Sequence, residues 1–266
     1  MYKQTKLVAL DIDGTLLEPG VPYDALPEKN VVEAVAALQA SGIIVVLATG
    51  RMYPGTAPIA KHLGINEPVI CQQGASLHEP DGSLRHGYTI DPDIAQELYD
   101  YSMEHGYSIA WFDHERYLVT SKTSASEFFA AVSGVDIEVH PKPHEAGIQA
   151  TGIDIVSNQQ ASNDVHRFLE ARYGNRVTLL DFTSVTAVHA PGASKGNALA
   201  KMSAERGIAQ SEVLAIGDGI NDVSMLTWAG QSATPSHGDA FAKDSAKEVL
   251  KSKGVGGVVE RLLAVL

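Results

Sequence analysis

Hydrophobic residues in the first third of the chain form short, almost wholly apolar runs separated by longer amphipathic stretches. Residues 7–12, 43–48 and 68–71 predict buried strands, because parallel strands covered on both faces are apolar throughout. Residues 28–40 and 54–63 have the apolar spacing of amphipathic helices. This alternation predicts an α/β fold built on a parallel sheet.

The pattern changes in the middle of the chain, where the predicted strands are joined by tighter turns. Residues 77–88 predict a hairpin that turns at Pro80-Asp81-Gly82, and residues 107–113 and 117–120 predict a second paired ribbon. Asp91 is placed to cap a helix that ends near residue 105. The other predicted elements are helices at 124–132 and 162–173 and strands at 152–157, 176–180 and 184–189. Mixed antiparallel pairing of this kind indicates a separate α+β module.

After Pro191-Gly192 the parallel pattern returns, with predicted elements at 194–206 (helix), 213–216 (strand) and 221–228 (helix). We therefore predict a parallel-sheet core domain formed by residues 1–82 and 191–266. Residues 83–190 form the smaller inserted domain in this prediction.

Composition and net charge limit the kinds of molecule that this chain is expected to bind. The chain has 266 residues, of which 44% are hydrophobic, enough for a substantial core, and its net charge of −12 argues against a nucleic-acid partner. No signal-peptide architecture precedes the first strand, and no apolar stretch is long enough to span a bilayer. The single cysteine, Cys71, follows an apolar run and is expected to be a buried structural thiol. We expect a cytoplasmic protein without a membrane partner; the sequence does not define its oligomeric state.

The first candidate for chemistry is Asp11-Ile12-Asp13-Gly14-Thr15, at the end of the first predicted strand. Ligands of open α/β sheets bind beyond the carboxyl ends of the strands. Two carboxylates at this spacing can supply a nucleophile and a general acid/base, and Gly14 allows a sharp turn. A lone Asp-x-Asp also fits an ordinary polar turn, so this motif alone does not decide the function.

Two further segments fit a phosphate site. In Thr49-Gly50-Arg51, after the second strand, a hydroxyl can hold a phosphoryl oxygen and Gly50 permits close approach of the backbone. Thr49 fits a helix cap equally well. Lys195 opens a predicted helix, where the helix dipole disfavours a cation, so nearby carboxylates and a phosphate are needed to offset it. The alternative is an exposed lysine.

The last segment, Gly217-Asp218-Gly219-Ile220-Asn221-Asp222, supplies the oxygen ligands that Mg²⁺ prefers. Helix capping explains one such residue but hardly all three. The acids at positions 11, 13, 218 and 222 would repel one another and a phosphate, and a divalent metal with Lys195 would offset that repulsion. The spacing excludes a dinucleotide fingerprint, a P-loop, an EF-hand and an H-E-x-x-H zinc site.

In this order, Asp-x-Asp-Gly-Thr at 11–15, Thr49, Lys195 and Gly-Asp-x-x-Asn-Asp at 217–222 resemble the haloacid dehalogenase superfamily of phosphotransferases. The segment between Thr49 and Lys195 resembles the α/β (type IIB) cap of the Cof-like phosphatases, which include sugar phosphatases. The resemblance implies a Rossmann-like catalytic core at 1–82 and 191–266 and a substrate-specificity cap at 83–190.

The resemblance also implies a role for each motif residue. Asp11 would be the nucleophile that forms an aspartyl-phosphate, and Asp13 would protonate the leaving oxygen and then activate water. The phosphoryl group would be held by Asp11, Thr49, Gly50 and Lys195. Mg²⁺ would bind Asp11, the backbone carbonyl of Asp13, and Asp218, with support from Asn221 and Asp222. Residues 16–20 would form a mobile flap below the cap.

Three departures from the family pattern predict altered substrate contacts or cap seating. Gln73-Gly74-Ala75 replaces the usual Asn-Gly-Ala, and Ala187 stands eight residues before Lys195 at an often acidic position. Residues 234–240 replace a common Met-Gly-Asn-Ala pattern.

The sequence therefore predicts a Mg²⁺-dependent phosphatase that hydrolyses a small phosphate monoester, with a sugar phosphate or related metabolite as the first candidate. The rivals are a phosphomutase or phosphotransferase on a phosphorylated sugar, and a non-catalytic phosphometabolite-binding protein. Candidate substrate contacts from the cap are Trp111, Asp113, His114, Arg116 and Lys122, which also fit ordinary surface or cap-core positions.

Overall fold

The computed structural model describes residues 4–266. Its strands are β1 (Leu7–Leu10), β2 (Ile44–Leu47), β3 (Val69–Cys71), β4 (Ser76–His78), β5 (Leu84–Gly87), β6 (Ser108–Phe112), β7 (Tyr117–Val119), β8 (Ile137–Val139), β9 (Gly152–Val156), β10 (Thr178–Phe182), β11 (Val185–His189), β12 (Val213–Ile216), β13 (Gln231–Thr234) and β14 (Glu248–Val249). Its helices are α1 (Lys29–Ala40), α2 (Tyr53–His62), α3 (Pro92–Glu104), α4 (Ser124–Ser133), α5 (Gln159–Tyr173), α6 (Lys195–Glu205), α7 (Val223–Trp228), α8 (Ala240–Ser245) and α9 (Gly254–Leu263).

The first sheet contains five parallel strands in the order β14-β13-β12-β1-β2. Alternate residues of β1 point to opposite faces of it. Val8 and Leu10 pack in one cluster with side chains of α1 and α9, while Leu7 and Ala9 pack in a second with side chains of α6 and α7. Both faces are therefore covered, which explains the continuous apolar runs and confirms the predicted α/β class.

The second sheet contains six strands in the order β10-β11-β9-β6-β7-β8. Its pairs are antiparallel except for β7 with β8. One face packs against α3 and α5 through residues such as Ile94, Leu98, Ile153 and Leu169. The opposite face carries Phe112 and Tyr117. We call this unit the cap, as the resemblance suggests.

The strands β3, β4 and β5 form a third, antiparallel sheet, which confirms the predicted hairpin at 77–88. Residue 83 lies in the turn of that hairpin. The division of the chain at residues 83 and 190 stays a prediction. A search of residues 4–266 finds no helix with the length and apolarity needed to cross a membrane.

The C-terminal part of the core contains elements that the hydrophobic pattern did not predict, namely β13, α8, β14 and α9. The strand β13 has the sequence Gln-Ser-Ala-Thr, yet all four residues are buried. Two of its polar side chains find partners inside the fold: Gln231 Nε2 donates to Thr5 Oγ1 at 3.0 Å, and Ser232 Oγ accepts from the N–H of Lys247 at 3.1 Å. A buried strand made mostly of polar residues gives no apolar signal in the sequence.

Cys71 lies in β3, fully buried, and burial raises the pKa of its thiol to about 12. Because the thiolate is the reactive form, we expect almost no reaction of the native protein with Ellman's reagent at pH 8. One thiol per chain should react after unfolding in guanidinium chloride, since the sequence contains one cysteine. Rapid labelling of the native protein would contradict the buried position.

Candidate active site

Strand order brings the motif residues to one edge of the core sheet. Asp11 directly follows β1, Thr49 lies two residues beyond β2, and Gly217 directly follows β12. The strand β1 lies between β2 and β12, and all three are parallel, so their carboxyl ends meet at this edge. Lys195 is the first residue of α6, which packs on the same sheet.

Lys195 is the centre of a buried ionic cluster. Its side chain is fully buried, and Nζ donates to Asp11 Oδ1 and to Asp222 Oδ1, each at 2.6 Å. Burial alone would lower the pKa of Lys195, but the charges of the two carboxylates outweigh it and raise the pKa above its ordinary value. These ion pairs offset the cost of placing a cation at a helix start.

Three carboxylates crowd this cluster. Oxygen atoms of Asp11, Asp218 and Asp222 all lie within 4.8 Å of one another. Burial, with the nearby charge of Asp222, raises the pKa of Asp11 well above its ordinary value against the opposing effect of Lys195. The same two causes raise the pKa of Asp218 to about 6. A single ammonium therefore does not neutralise the group, and its hard oxygen atoms suit a divalent cation such as Mg²⁺.

Asp222 positions the loop that carries Asp218. Its Oδ1 accepts a hydrogen bond from Lys195 Nζ, and its Oδ2 accepts from the backbone N–H groups of Asp218 at 2.9 Å and Gly219 at 3.0 Å. Within residues 4–266, Asp11 and Asp218 each keep a carboxylate oxygen outside the recorded hydrogen bonds. This geometry fits Asp11 and Asp218 as metal ligands and Asp222 as their support.

Gly14 makes room for Asp218. Its φ is +81°, and a Cβ at this position would lie 2.1 Å from Asp218 Oδ2. Only glycine allows both the left-handed backbone and the close approach. The first motif therefore needs a glycine at position 14, because the side chain of Asp218 from the last motif lies against it.

Arg51 holds Asp13, a contact that the sequence analysis did not foresee. Arg51 is 4% exposed, and its Nε and Nη2 donate to the two oxygens of Asp13 at 2.8 and 2.5 Å. Its Nη1 also reaches the carbonyl oxygens of Tyr23 and Gly55, each at 3.4 Å. A bidentate pair of this kind fixes the orientation of the carboxylate. The sequence could have indicated a role for Arg51, because this residue directly follows Thr49 and Gly50, which were already candidates for the site.

Thr49 lies in the turn after β2 and does not cap the following helix α2, whose N-cap is Met52. Thr49 is fully buried, and its Oγ1 accepts from the backbone N–H of Arg51 at 3.1 Å. A hydroxyl that accepts one hydrogen bond can still donate its own proton. Thr49 therefore stabilises the turn locally and keeps a hydroxyl proton that it can donate.

Two departures from the family pattern contact the motif loops. Gln73 has a φ of +58°, and its Oε1 accepts from Asn221 Nδ2 at 3.0 Å. His237 Nε2 donates to the carbonyl of Gly14 at 2.7 Å, and the N–H of Asp239 donates to the carbonyl of Asp218 at 2.8 Å. Residues 234–240 thus contact both the loop that carries Gly14 and the loop that carries Asp218.

The five cap residues singled out from the sequence lie away from this site. Trp111 is buried in the cap core, and Asp113 accepts the backbone N–H groups of Glu115 and Arg116 within a turn. Arg116 pairs with Glu138 at 2.6 Å, His114 lies 3.6 Å from Glu115, and Lys122 is exposed. None of the five lines the cavity beside Asp11, so their role as substrate contacts stays a prediction without geometric support.

A cavity of about 380 Å³ separates the motif residues from the cap. Its core side includes Asp11, Asp13, Arg51, Gln73, Asp218 and Asn221. Its other side is formed by the face of the cap sheet that carries Phe112 and Tyr117. The volume suits a small organic ligand whose one end lies on the carboxylate cluster.

Comparison with known proteins gives one consistent family. The family model for haloacid dehalogenase-like hydrolases matches residues 8–262. The phosphatase YwpJ of Bacillus subtilis (strain 168) is 28% identical over 298 residues, covering 98% of this chain and 100% of that protein. A solved haloacid dehalogenase-like hydrolase from B. subtilis has a TM-score of 0.84 at 24% identity, covering 98% of this chain and all of that one.

A HAD/COF-like hydrolase from Plasmodium vivax has a TM-score of 0.82 at 23% identity, covering 98% of this chain and 95% of that one. These likenesses to solved structures extend across both sheets and agree in fold with the resemblance read from the motifs. The chain belongs to the haloacid dehalogenase-like hydrolase family.

Proposed function

We propose that this chain is a Mg²⁺-dependent phosphatase that hydrolyses a small phosphate monoester through an aspartyl-phosphate on Asp11. The observation that carries the proposal is the position of Asp11. Its carboxylate lies 2.6 Å from a fully buried ammonium, faces a cavity, and stands beside two further carboxylates. The relative YwpJ is named a phosphatase, which supports the same class of reaction.

In the first step, an oxygen of Asp11 attacks phosphorus, and the bond from phosphorus to the leaving oxygen breaks. In this proposal a proton passes from Asp13 to that oxygen, so the alcohol leaves neutral. Lys195 and the hydroxyl of Thr49 are the donors that would hold the phosphoryl oxygens, with the backbone of Gly50 permitting close approach.

In the second step, water attacks phosphorus, the bond to Asp11 breaks, and inorganic phosphate leaves. Asp13, now a carboxylate, accepts the proton of that water. Its side chain is 49% exposed, so water reaches it, while Arg51 fixes its direction from the buried side. The roles of Asp13 in the two steps explain why it lies at the mouth of the cluster and Asp11 inside it.

Asp11, the backbone carbonyl of Asp13, and Asp218 would hold the metal ion, with Asn221 and Asp222 supporting their loops. When bound, Mg²⁺ supplies positive charge that stabilises the phosphoryl oxygens. The reason to expect a cation here is that three carboxylates lie close together, and burial with the charge of Asp222 raises the pKa values of Asp11 and Asp218.

Chelation tests the metal directly. Excess EDTA should abolish release of p-nitrophenol from p-nitrophenyl phosphate, and added Mg²⁺ should restore it. Circular dichroism in EDTA should show whether the fold persists without metal. Full turnover in excess EDTA would remove the metal from the mechanism.

An assay of phosphate release distinguishes the phosphatase from the alternative functions predicted from the sequence. A phosphatase releases inorganic phosphate in water without an acceptor, and a phosphotransferase or phosphomutase requires a second hydroxyl substrate. A binding protein releases none. A screen of phosphorylated metabolites, with sugar phosphates included, identifies the substrate.

A further inference from the structure

Asp154 is a buried acid in the cap that none of the motifs accounts for. It lies in the middle of β9 and is 8% exposed. Within residues 4–266, no recorded hydrogen bond or ion pair reaches its carboxyl oxygens, and burial alone raises its pKa, to about 7. A buried carboxyl without a partner is unfavourable, so this one calls for a function.

The alternation of β9 directs Asp154 into the cavity. Its neighbours Ile153 and Ile155 pack in the cap core, so the side chain at 154 lies on the opposite face of the sheet. That face forms the cap side of the cavity, and Asp154 is one of its lining residues. The carboxyl thus stands across the cavity from the catalytic cluster.

Small residues leave space around this carboxyl. In the register of the sheet, Asp154 lies opposite Ala110 on β6 and opposite Ala187 on β11. Ala187 also lines the cavity. A carboxyl flanked by two alanines on adjacent strands can be reached by a ligand that enters between them.

Most of the other side chains of the cap wall are aromatic or aliphatic. Phe112, Tyr117 and Phe129 form a ring cluster with centroid separations of 5.0 to 5.5 Å. Phe182 and Val185 continue the wall towards β10 and β11. Such a surface suits a flat apolar ring, because it offers stacking and burial with few groups to satisfy hydroxyls.

His189 adds an acceptor to this wall. Its Nδ1 lies 3.0 Å from the carbonyl of Thr151, and burial lowers its pKa to about 4, so the ring is neutral near pH 7. In a neutral ring the Nδ1–H donates to the carbonyl, and Nε2 is then an acceptor. With Asp154, the cap wall therefore offers acceptors to a ligand that carries an N–H donor.

We propose that the cavity takes phosphate monoesters of a planar, nitrogen-containing aromatic ring, with the ring nitrogen paired to Asp154. The phosphate end of this inference rests on the function proposed above. A pyridine-type nitrogen and a carboxyl share one proton between them, so the pair is satisfied whichever atom carries it. A sugar ring brings several hydroxyl groups, more than the few polar side chains of this wall can pair with.

The test compares three esters: benzyl phosphate, 3-pyridylmethyl phosphate and glucose 6-phosphate. The first two match in shape and differ by one ring nitrogen. For the unaltered protein we expect kcat/KM for the pyridyl ester to exceed that for the benzyl ester by about tenfold or more, since one well-placed buried polar contact is worth at least that factor. Glucose 6-phosphate should be the poorest of the three.

The variant Asp154→Leu, whose side chain can neither donate nor accept a hydrogen bond, should bring the pyridyl-to-benzyl ratio of kcat/KM close to one. Asp136→Leu, at an exposed cap position, is the matched control and should keep the ratio. The ratio in the unaltered protein decides the inference even if Asp154→Leu fails to fold.

Two negative results separate the two proposals. Hydrolysis of benzyl phosphate with no preference for the pyridyl ester overturns the role of Asp154 and leaves the phosphatase standing. Failure to hydrolyse all three esters and p-nitrophenyl phosphate, in the presence of Mg²⁺, overturns the proposed function itself. A better rate with glucose 6-phosphate than with either aromatic ester also overturns the inference.

Discussion

Asp11→Asn is expected to lower turnover of p-nitrophenyl phosphate by about 10⁴-fold or more, because an amide cannot serve as the attacking nucleophile. The substitution keeps the size of the side chain and leaves Lys195 paired with Asp222, so the fold should persist. Phosphatase assays and circular dichroism measure the two effects separately.

Asp164→Asn makes the same chemical change on the exposed surface of α5 and should leave turnover unchanged. Near-normal activity of Asp11→Asn, with the control also normal, would refute Asp11 as the nucleophile. One of the other motif acids, Asp13, Asp218 or Asp222, would then have to be considered as the nucleophile.

Lys195→Met is expected to lower the free energy of unfolding by about 3–5 kcal/mol, because it leaves Asp11 and Asp222 buried without their cation. Methionine has a similar length and fills most of the space, so the effect reports charge more than volume. Urea unfolding in EDTA measures it without any contribution from bound metal. The same variant should also lose turnover, since Lys195 neighbours the nucleophile.

Lys61→Met is the matched control, because Lys61 is exposed at the end of α2. Its unfolding free energy should stay within about 0.5 kcal/mol of the original value. A loss for Lys195→Met no larger than that of the control would mean that the two carboxylates are held neutral or solvated without the ammonium.

The core was predictable because its strands are buried on both faces and its motifs lie where those strands end. Residues 213–216 were predicted as a strand, and β12 has these bounds. The C-terminal part was not predicted, for two different reasons. The polar sequence of β13 carries no signal, whereas Val255, Val258 and Leu262 of α9 are buried at helical spacing that could have been recognised.

In the cap, successive residues of a strand point to opposite faces of the sheet, and this alternation determines which residues face the cavity. Trp111 and Phe112 are adjacent in β6, so one packs in the cap core and the other lines the cavity. The sequence analysis chose Trp111 as a candidate substrate contact, but in the structure Phe112 is the one that lines the cavity. Asp154 was missed because its neighbours Ala110 and Ala187 come from distant strands, and their register cannot be read from the sequence.

The contact between Asp11 and Lys195 joins residues 184 positions apart in the chain, across the whole cap. Contacts of such long sequence separation form late in folding, because the entropy of closing the loop must be overcome first. The strand β12, which completes the sheet beside β1, is also made only after the cap. A nascent chain therefore carries Asp11, the proposed nucleophile, without Lys195 and Asp222 until the residues after the cap have been made, and catalysis is expected to begin only after that point.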